Sequence, residues 1–201
     1  MAELPDLESF ARCTVAPYVG SAYRGHARLY LPTDFTGSSM YAGRLHELPA
    51  RQGATGQDRR TGYLAIEEVT ALAEIIRHQE ARADVSDATA TKASAERNMM
   101  YLSTRRLTRL ELRFSRIRDA RNLEALGISR DAFFVDGVWD AGGYISQALG
   151  QACRVAGDEG VLVPSATRLG DSLILFLENK LGSSEIHQGP SRDPSLVLTR
   201  R

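Results

Sequence analysis

The sequence predicts an α+β domain, in which short strands and helices are mixed along the whole chain. Apolar runs of strand length recur from residue 21 to residue 177, and turn residues such as Gly, Pro and Asp separate them. Helical patterns lie between some of these runs but not between all of them, so a doubly wound parallel sheet is disfavoured. The length of 201 residues and the apolar fraction of 43% fit one compact domain with a hydrophobic core.

The first half of the chain contains two predicted strands, a long loop and a helix. Residues 21–31 and 61–66 have the aromatic and apolar content of strands, and residues 33–61 form a long loop rich in Gly, Ser, Arg and Gln. Loops of this length are uncommon in compact domains and are often functional. Residues 67–81 predict a helix, because their apolar side chains recur at helical spacing and two glutamates occupy the first turn.

The second half of the chain begins with a segment that predicts a mobile insertion or a surface helix, and it ends with two predicted strands. Residues 82–97 are rich in Ala, Ser and Thr and have almost no large apolar side chain. Beyond them, one alternating pattern, two helical patterns and two buried apolar runs occur. In chain order these predict a strand at 107–117, a helix at 122–129 that ends at Gly127, a helix at 142–160, and strands at 160–164 and 172–177.

These elements define a single domain over residues 1–201, with a core at about 20–178, a flexible segment at about 82–97 and a loose tail at about 180–201. The N-terminal segment MAELPDLESF has acidic residues and no long apolar run, so we expect no signal peptide. No apolar stretch approaches ~18 residues, so we expect no membrane span, and the simplest interpretation is a cytoplasmic protein.

The charges of the chain are balanced, with 25 Lys plus Arg against 25 Asp plus Glu. Nonspecific binding of nucleic acid requires a basic excess, so we expect no direct nucleic-acid binding by this chain. Only Lys92 and Lys180 are lysines. Arginine is the better bidentate partner for phosphate, although a compositional bias of the genome would produce the same preference. Cys13 and Cys153 lack CxxC spacing, so they predict neither a zinc site nor a disulfide framework.

Common catalytic motifs are absent from the sequence. There is no P-loop, no GxGxxG between a strand and a helix, no HExxH and no Cys/His cluster. The segment around Ser165 reads PSA, which is not the GxSxG of a nucleophile elbow. We therefore expect neither a metal enzyme nor an ordinary serine hydrolase.

Three polar residues interrupt apolar elements. Arg24 lies in an extended aromatic stretch, Glu74 lies in the middle of the helix at 67–81, and Ser165 follows Pro164 at the end of a buried strand. Each has an ordinary structural interpretation, as a strand-surface charge, a solvated helix residue and a turn residue respectively. The alternative is that the fold brings the three residues together in one site.

Four segments occur in an order that resembles a known family. They read SAYRGHA, AGRLHE, GYLAIEEVTALAEII and GVLVPSATRLGDSLILF, and they span roughly residues 20 to 178. In this combination the chain resembles the RES-domain proteins, which are toxins of bacterial toxin–antitoxin pairs and are named for an Arg, a Glu and a Ser. The resemblance implies a split mixed β-sheet with flanking helices, related to the fold of ADP-ribosylating toxins, that holds the nicotinamide end of NAD+.

The resemblance also assigns roles to individual residues. It implies catalytic roles for Arg24, Glu74 and Ser165, which match the family's three namesake residues. A carboxylate suits this chemistry, because cleavage of the nicotinamide bond builds positive charge on the ribose. Arginine can clamp the pyrophosphate, and an aromatic ring can stack on the nicotinamide cation. The NAD+-binding residues implied in this way are Arg24, Arg44, Tyr63, Tyr23 and His46.

The loop segment departs from the family pattern. The family's GGRFN is AGRLH here, so Ala42 replaces a glycine and His46 replaces an asparagine. These changes affect the segment that is expected to contact NAD+, whereas the Arg, Glu and Ser remain.

Three hypotheses about function follow from the residues and the resemblance. The first is a toxin enzyme that degrades NAD+ by phosphorolysis or hydrolysis of the nicotinamide–ribose bond, with NAD+ as substrate and no metal. The second is an ADP-ribosyltransferase that modifies a specific protein. The third is a non-catalytic module that binds a nucleotide or a partner. The expected partner is a small antitoxin with a helix-turn-helix part that covers the active site.

Overall fold

A computed structural model describes residues 12–27, 35, 60–83, 100–107, 114–116, 120–129, 145–181 and 186–192. In this part of the chain the protein forms eight strands and three α-helices. In chain order they are β1 Val15–Ala16, β2 Gly20–Ala27, β3 Thr61–Ala65, α1 Glu68–Ala83, β4 Met100–Leu107, β5 Phe114–Arg116, α2 Ala120–Ala125, α3 Ile145–Val155, β6 Gly160–Pro164, β7 Asp171–Phe176 and β8 His187–Arg192.

The strands form one mixed sheet in the order β1-β5-β6-β7-β3-β2-β4-β8. Strands β5 and β6 are parallel, and the other neighbours are antiparallel. The prediction of an α+β domain with a mixed sheet and flanking helices is therefore confirmed. No helix in the described ranges is long and apolar enough to cross a membrane.

The sheet narrows to a single residue pair between β2 and β3. Strand β2 pairs with β4 along its whole length from Gly20 to Ala27, but it meets β3 only where Tyr23 lies opposite Ala65. On the other side of this join, β3 pairs with β7 along all of Thr61–Ala65. The sheet thus consists of two well-paired halves that are joined at one point, as the expected split sheet requires.

The helices cover one face of the sheet, which we call the helix face. Val163, Ile174 and Phe176 of β6 and β7 point to this face and pack in a cluster with residues of α2 and α3. Ala65 of β3 points the same way, because it lies opposite a β7 residue of that face, and it packs against Ala71 of α1. Side chains alternate along each strand. The opposite face carries a second apolar cluster of Ala22, Leu64, Leu173 and Leu175.

The strand expected at 107–117 includes the last residue of β4 and the whole of β5, and residues 108–113 between them lie outside the described residues. One part of the chain differs from the sequence-based expectation. The loose tail expected at 180–201 contains β8, which pairs with β4 at the edge of the sheet. Its sequence HQGPSR has no apolar alternation, and proline is tolerated in strands mainly at such edges.

The other elements lie close to their predicted positions. Gly127 follows α2 with a φ of +62°, which is the left-handed conformation expected of a glycine just beyond a helix end. The flexible segment predicted at 82–97 lies outside the described residues apart from the last residues of α1.

Arg154 joins the end of α3 to β3 and β7 on the helix face. Its side chain is buried, forms an ion pair with Glu178 and donates a hydrogen bond of 2.7 Å to the hydroxyl of Thr61. Its guanidinium carbon also lies over the ring of Phe176, 4.7 Å from the ring centroid, which is within the ~6 Å of a cation–π contact. The buried charge of Arg154 is thus stabilised by an ion pair, a hydrogen bond and an aromatic ring.

We predict that Arg154→Met lowers the free energy of unfolding by about 3–5 kcal/mol, because it leaves the mostly buried carboxylate of Glu178 without its partner. Urea denaturation of the two proteins measures the difference. The double variant Arg154→Met/Glu178→Gln is the control and should recover part of the loss. Equal destabilisation by the single and double variants would show that the unpaired charge is not the cause.

Candidate functional site

The structure brings Glu74 and Ser165 into direct contact. The hydroxyl of Ser165 donates a hydrogen bond of 2.6 Å to Oε1 of Glu74. Glu74 lies in the second turn of α1 and is partly exposed, whereas Ser165 directly follows β6 and is fully buried. A carboxylate from a helix and a hydroxyl from a strand end therefore meet on the helix face.

Ser165 is the first residue of a tight loop between β6 and β7, which we call the serine loop (residues 165–170). Its N–H donates to the carbonyl of Gly170 at 2.9 Å, and its own carbonyl accepts from the N–H of Arg168 at 3.0 Å. Arg168 and Gly170 have φ values of +63° and +94°, so the chain reverses within a few residues. This reversal fixes Ser165 at the point where the two strands separate. Ser165 is therefore a turn residue, and the same turn places its hydroxyl at Glu74.

Thr167 completes the hydrogen bonding of the Ser165 hydroxyl. The N–H of Thr167 donates to Oγ of Ser165 at 3.2 Å, and the two hydroxyl oxygens lie 2.8 Å apart. A serine hydroxyl has one hydrogen and two lone pairs. Because that hydrogen is donated to Glu74, the hydroxyl of Thr167 is the donor in the second contact. The result is a directed chain from Thr167 through Ser165 to the carboxylate.

Ser172 of β7 lies beside the same carboxylate. Its Oγ is 3.4 Å from Oε1 of Glu74, and the residue is buried on the helix face opposite Ala65. The hydroxyls of Ser165 and Ser172 therefore both donate to Oε1. Within the described ranges, the other oxygen, Oε2, accepts no hydrogen bond from the protein. The arrangement therefore fixes one oxygen of a partly exposed carboxylate.

The two predicted aromatic residues lie on the helix face as well. Tyr23 packs against Ala65 and Leu72, next to the join between β2 and β3. Tyr63 lies opposite Ile174 and packs against the core cluster under α2 and α3. Both side chains are partly exposed. The structure thus places both rings on the same side of the sheet as Glu74.

Arg24 lies on the opposite face of the sheet. It follows Tyr23 in β2, which pairs with β4 without a bulge, so its side chain alternates to the other side. Its guanidinium carbon lies 4.4 Å from the centroid of the Phe35 ring. The same ring packs against Gly62 of β3, where an added Cβ would come within 2.8 Å of a ring carbon. The structure therefore does not place Arg24 in contact with the Glu74–Ser165 pair.

Two of the predicted NAD+-binding residues, Arg44 and His46, lie outside the described residues. Their assignment stays a prediction from the resemblance. In the described ranges, no group of three or more His, Cys, Asp or Glu side chains could hold a metal ion.

Two ionisable groups elsewhere in the fold have a raised pKa. Burial, and secondarily the charge of Asp158, raises the pKa of the Cys13 thiol. Burial, and secondarily Tyr23, raises the pKa of Tyr18, whose hydroxyl donates to the carbonyl of Ser21 at 2.7 Å. Cys13 is buried in the apolar cluster under α2 and α3, so it is a core residue.

Sequence reasoning missed the polar residues that surround the pair. Thr167 and Ser172 contact Ser165 and Glu74, and Thr70 hydrogen-bonds the serine loop from α1. A signal existed for Ser172, because it is a small polar residue in the otherwise apolar strand DSLILF. No comparable signal marks Thr70 or Thr167, since threonine is ordinary in a helix or a loop.

A protein family and a solved structure are similar to this chain. A family model described as the RES domain matches residues 21–198 of the chain. No curated protein sequence matches the chain. Among solved structures, the crystal structure of the M. tuberculosis MbcT–MbcA toxin–antitoxin complex contains a chain with the same fold, at a TM-score of 0.72 and 20% identity. The match covers 96% of this chain and 94% of that one.

We predict that Ser165→Ala lowers the free energy of unfolding by about 1–3 kcal/mol, because it removes the partner of the Glu74 carboxylate and of two Thr167 donors. Ser172→Ala is the matched control, since it removes a buried hydroxyl that addresses the same oxygen at 3.4 Å. It should cost less than about 0.5 kcal/mol. Urea unfolding measures both, and equal losses would contradict the dominance of the short contact.

Proposed function

Because the chain belongs to the RES-domain family, we propose that it is an enzyme that consumes NAD+ by breaking the bond between nicotinamide and ribose. The observation that carries this proposal is the Glu74–Ser165 contact, in which a buried hydroxyl holds one oxygen of a partly exposed carboxylate. In the proposal Glu74 is the catalytic residue, and Ser165 is a positioning residue that acts through it.

The chemistry requires negative charge beside the ribose. When the bond between the ribose carbon C1″ and the nicotinamide nitrogen breaks, the electron pair leaves with neutral nicotinamide. Positive charge then develops on the ribose, as it does in glycoside cleavage. A carboxylate oxygen near C1″ stabilises this charge, and Oε2 of Glu74 has the chemistry for that role. An acceptor oxygen then bonds to C1″ and gives up a proton when it carries one.

The hydrogen bonds around Ser165 support a positioning role for it. A preorganised carboxylate needs no reorganisation while the reaction charge develops, which is why fixed charges are effective in enzymes. Ser165 donates its only hydroxyl hydrogen to Glu74, and the hydroxyl and N–H of Thr167 occupy its lone pairs. Because both lone pairs of the hydroxyl accept hydrogen bonds from Thr167, the role that fits Ser165 is to orient the carboxylate.

Tyr63 and Tyr23 are the proposed aromatic contacts of the nicotinamide. Both are partly exposed on the helix face, which also carries Glu74. Nicotinamide in NAD+ is a flat cation, so it gains from lying on an aromatic ring. Loss of nicotinamide as a neutral molecule weakens that contact and favours product release.

Arg24 is proposed to bind the pyrophosphate. It need not touch Glu74, because the pyrophosphate and the nicotinamide are attached to different ends of the ribose. The join between the halves of the sheet is a single residue pair wide, so a ligand at this join could contact both faces. Stacking on Phe35 fixes the plane of the guanidinium group, and Arg in a fixed plane binds phosphate with well-defined geometry.

The proposal extends to the partner and the setting of the enzyme. The MbcT–MbcA structure is a toxin–antitoxin complex, which supports the proposal that this chain is a toxin held in check by an antitoxin protein. NAD+ is a cytoplasmic metabolite, so we propose that the enzyme acts there. The helix-turn-helix part of the antitoxin stays a prediction from the family resemblance.

We predict that the purified protein releases nicotinamide from NAD+ and that Glu74→Gln lowers kcat by at least about 100-fold, the loss typical of a removed electrostatic contact. The glutamine keeps the shape of the side chain and can still accept from Ser165, so the fold should persist. Chromatography of nicotinamide after incubation measures the rate. Glu124→Gln is the matched control, because Glu124 is an exposed carboxylate on another helix.

The products identify the acceptor. Incubation with phosphate should give ADP-ribose 1″-phosphate if the enzyme is a phosphorylase, whereas free ADP-ribose without phosphate indicates hydrolysis. A mass increase on a co-expressed protein, with little free product, identifies the alternative, an ADP-ribosyltransferase. Undiminished activity of Glu74→Gln would overturn the glutamate assignment. Unchanged NAD+ under every condition would leave the non-catalytic binding module.

We predict that Arg24→Ala raises the KM for NAD+ by about 10- to 100-fold, which corresponds to the ~1.5–3 kcal/mol of a hydrogen bond to a charged group. Because the pyrophosphate does not change during the reaction, kcat should change little. Initial rates over a range of NAD+ concentrations separate the two constants. Arg12→Ala, at an exposed arginine, is the control. An unchanged KM would remove Arg24 from the binding site.

A further inference from the structure

Helix α1 contacts the serine loop at two points that lie one helical turn apart. Glu74 contacts Ser165 at the first residue of the loop. Thr70, four residues earlier on the same side of the helix, donates its hydroxyl hydrogen to the carbonyl of Leu169 near the end of the loop. The Thr70–Leu169 contact therefore joins α1 to the serine loop beside the Glu74–Ser165 contact.

The site of the Thr70 contact is closely fitted. Thr70 is fully buried. Gly170 lies against it with a φ of +94°, and a Cβ added to this glycine would come within 2.8 Å of the Thr70 hydroxyl oxygen. A side chain at residue 170 would therefore displace either the threonine or the loop. The pairing of a buried hydroxyl with a residue that has no side chain allows the loop backbone to approach α1.

The far end of the serine loop is bonded back to its own start, where the N–H of Ser165 donates to the carbonyl of Gly170, and it meets α1 through Thr70. The side chain of Leu169 is 51% exposed, so apolar burial contributes little at this point. Arg168 has a left-handed backbone at φ +63°, which costs free energy in a residue with a side chain. Where the loop passes α1, Thr70 supplies a polar contact from the helix that carries Glu74.

We propose that Thr70 is a positioning residue for the NAD+ reaction, which fixes the serine loop against α1 and thereby sets the contact between Ser165 and Glu74. This inference rests on the proposed function, because it assumes that the carboxylate is the group that acts. Gly170 contributes to the same contact. Because it has no side chain, the Thr70 hydroxyl has room to reach the Leu169 carbonyl.

Four variants test the proposal. Thr70→Val removes the hydroxyl and keeps the shape, and we expect kcat to fall by about tenfold, the equivalent of a neutral hydrogen bond of ~1.4 kcal/mol, with little change in KM. Thr70→Ser retains the hydroxyl and should stay within about twofold of the unaltered protein. Gly170→Ala should resemble Thr70→Val. Gly157→Ala is its control, because Gly157 also has a positive φ, +79°, but nothing lies within 4 Å of its added Cβ.

Two further measurements separate a positioning role from a general loss of stability. In the Ser165→Ala background, Thr70→Val should cost little more, because both changes break the same arrangement and their effects are not additive. A crystal structure of Thr70→Val should show the Ser165–Glu74 oxygens beyond about 3.5 Å, where no hydrogen bond remains. If the valine variant does not fold, Thr70→Ala replaces it, since it removes the hydroxyl without adding a methyl group against the Leu169 carbonyl.

The outcomes distinguish this inference from the proposed function. If the unaltered protein does not cleave NAD+, the proposed function fails, while the crystal structure still tests the role of Thr70. An unchanged Ser165–Glu74 distance in Thr70→Val overturns that role in either case. Additive losses in the double variant, or failure of Thr70→Ser to retain activity, would also overturn it.

Discussion

The candidate site depends on one hydrogen bond between residues that are 91 positions apart in the chain, from the hydroxyl of Ser165 to the carboxylate of Glu74. Its length of 2.6 Å requires α1 and the serine loop to be held close together. Burial of Ser165 keeps water away from the hydroxyl, and Thr167 fixes the direction of its hydrogen. The sheet, the tight turn and the packing of α1 all serve to maintain this contact.

The narrow join between β2 and β3 shapes the surroundings of the site. Helix α1 lies over the join through Ala71 and Leu72, which pack against Tyr23 and Ala65. The position of Glu74 is therefore coupled to both halves of the sheet. On the other face, Phe35 packs against Gly62, and the guanidinium group of Arg24 lies over the Phe35 ring. An arginine and a carboxylate that the family resemblance assigns to one site thus project from opposite faces near the same join.

The sequence predicted most strands and helices near their observed positions, but it did not predict which side chains contact one another. Six elements lie near their predicted positions, because apolar periodicity indicates which side chains are buried. They are β3, β6, β7, α1, α2 and α3. Strand β8 was not predicted, since its partner β4 and its edge position, and not its composition, make it a strand. The family resemblance, confirmed over residues 21–198, named Glu74 and Ser165, but it did not indicate the surrounding threonines.

The sequence by itself indicated the fold class, because burial patterns of single segments predict strands and helices, and it indicated the family through four segments that occur in order between residues 20 and 178. Only the tertiary structure decided which polar groups meet. It brought Ser165 and Ser172 to Glu74 and Thr167 to Ser165, and it placed Arg24 on the other face. The physical reason is that a hydrogen bond requires an accuracy of a few tenths of an ångström. That accuracy comes from strand register and helix packing over the whole sheet, which no single segment encodes.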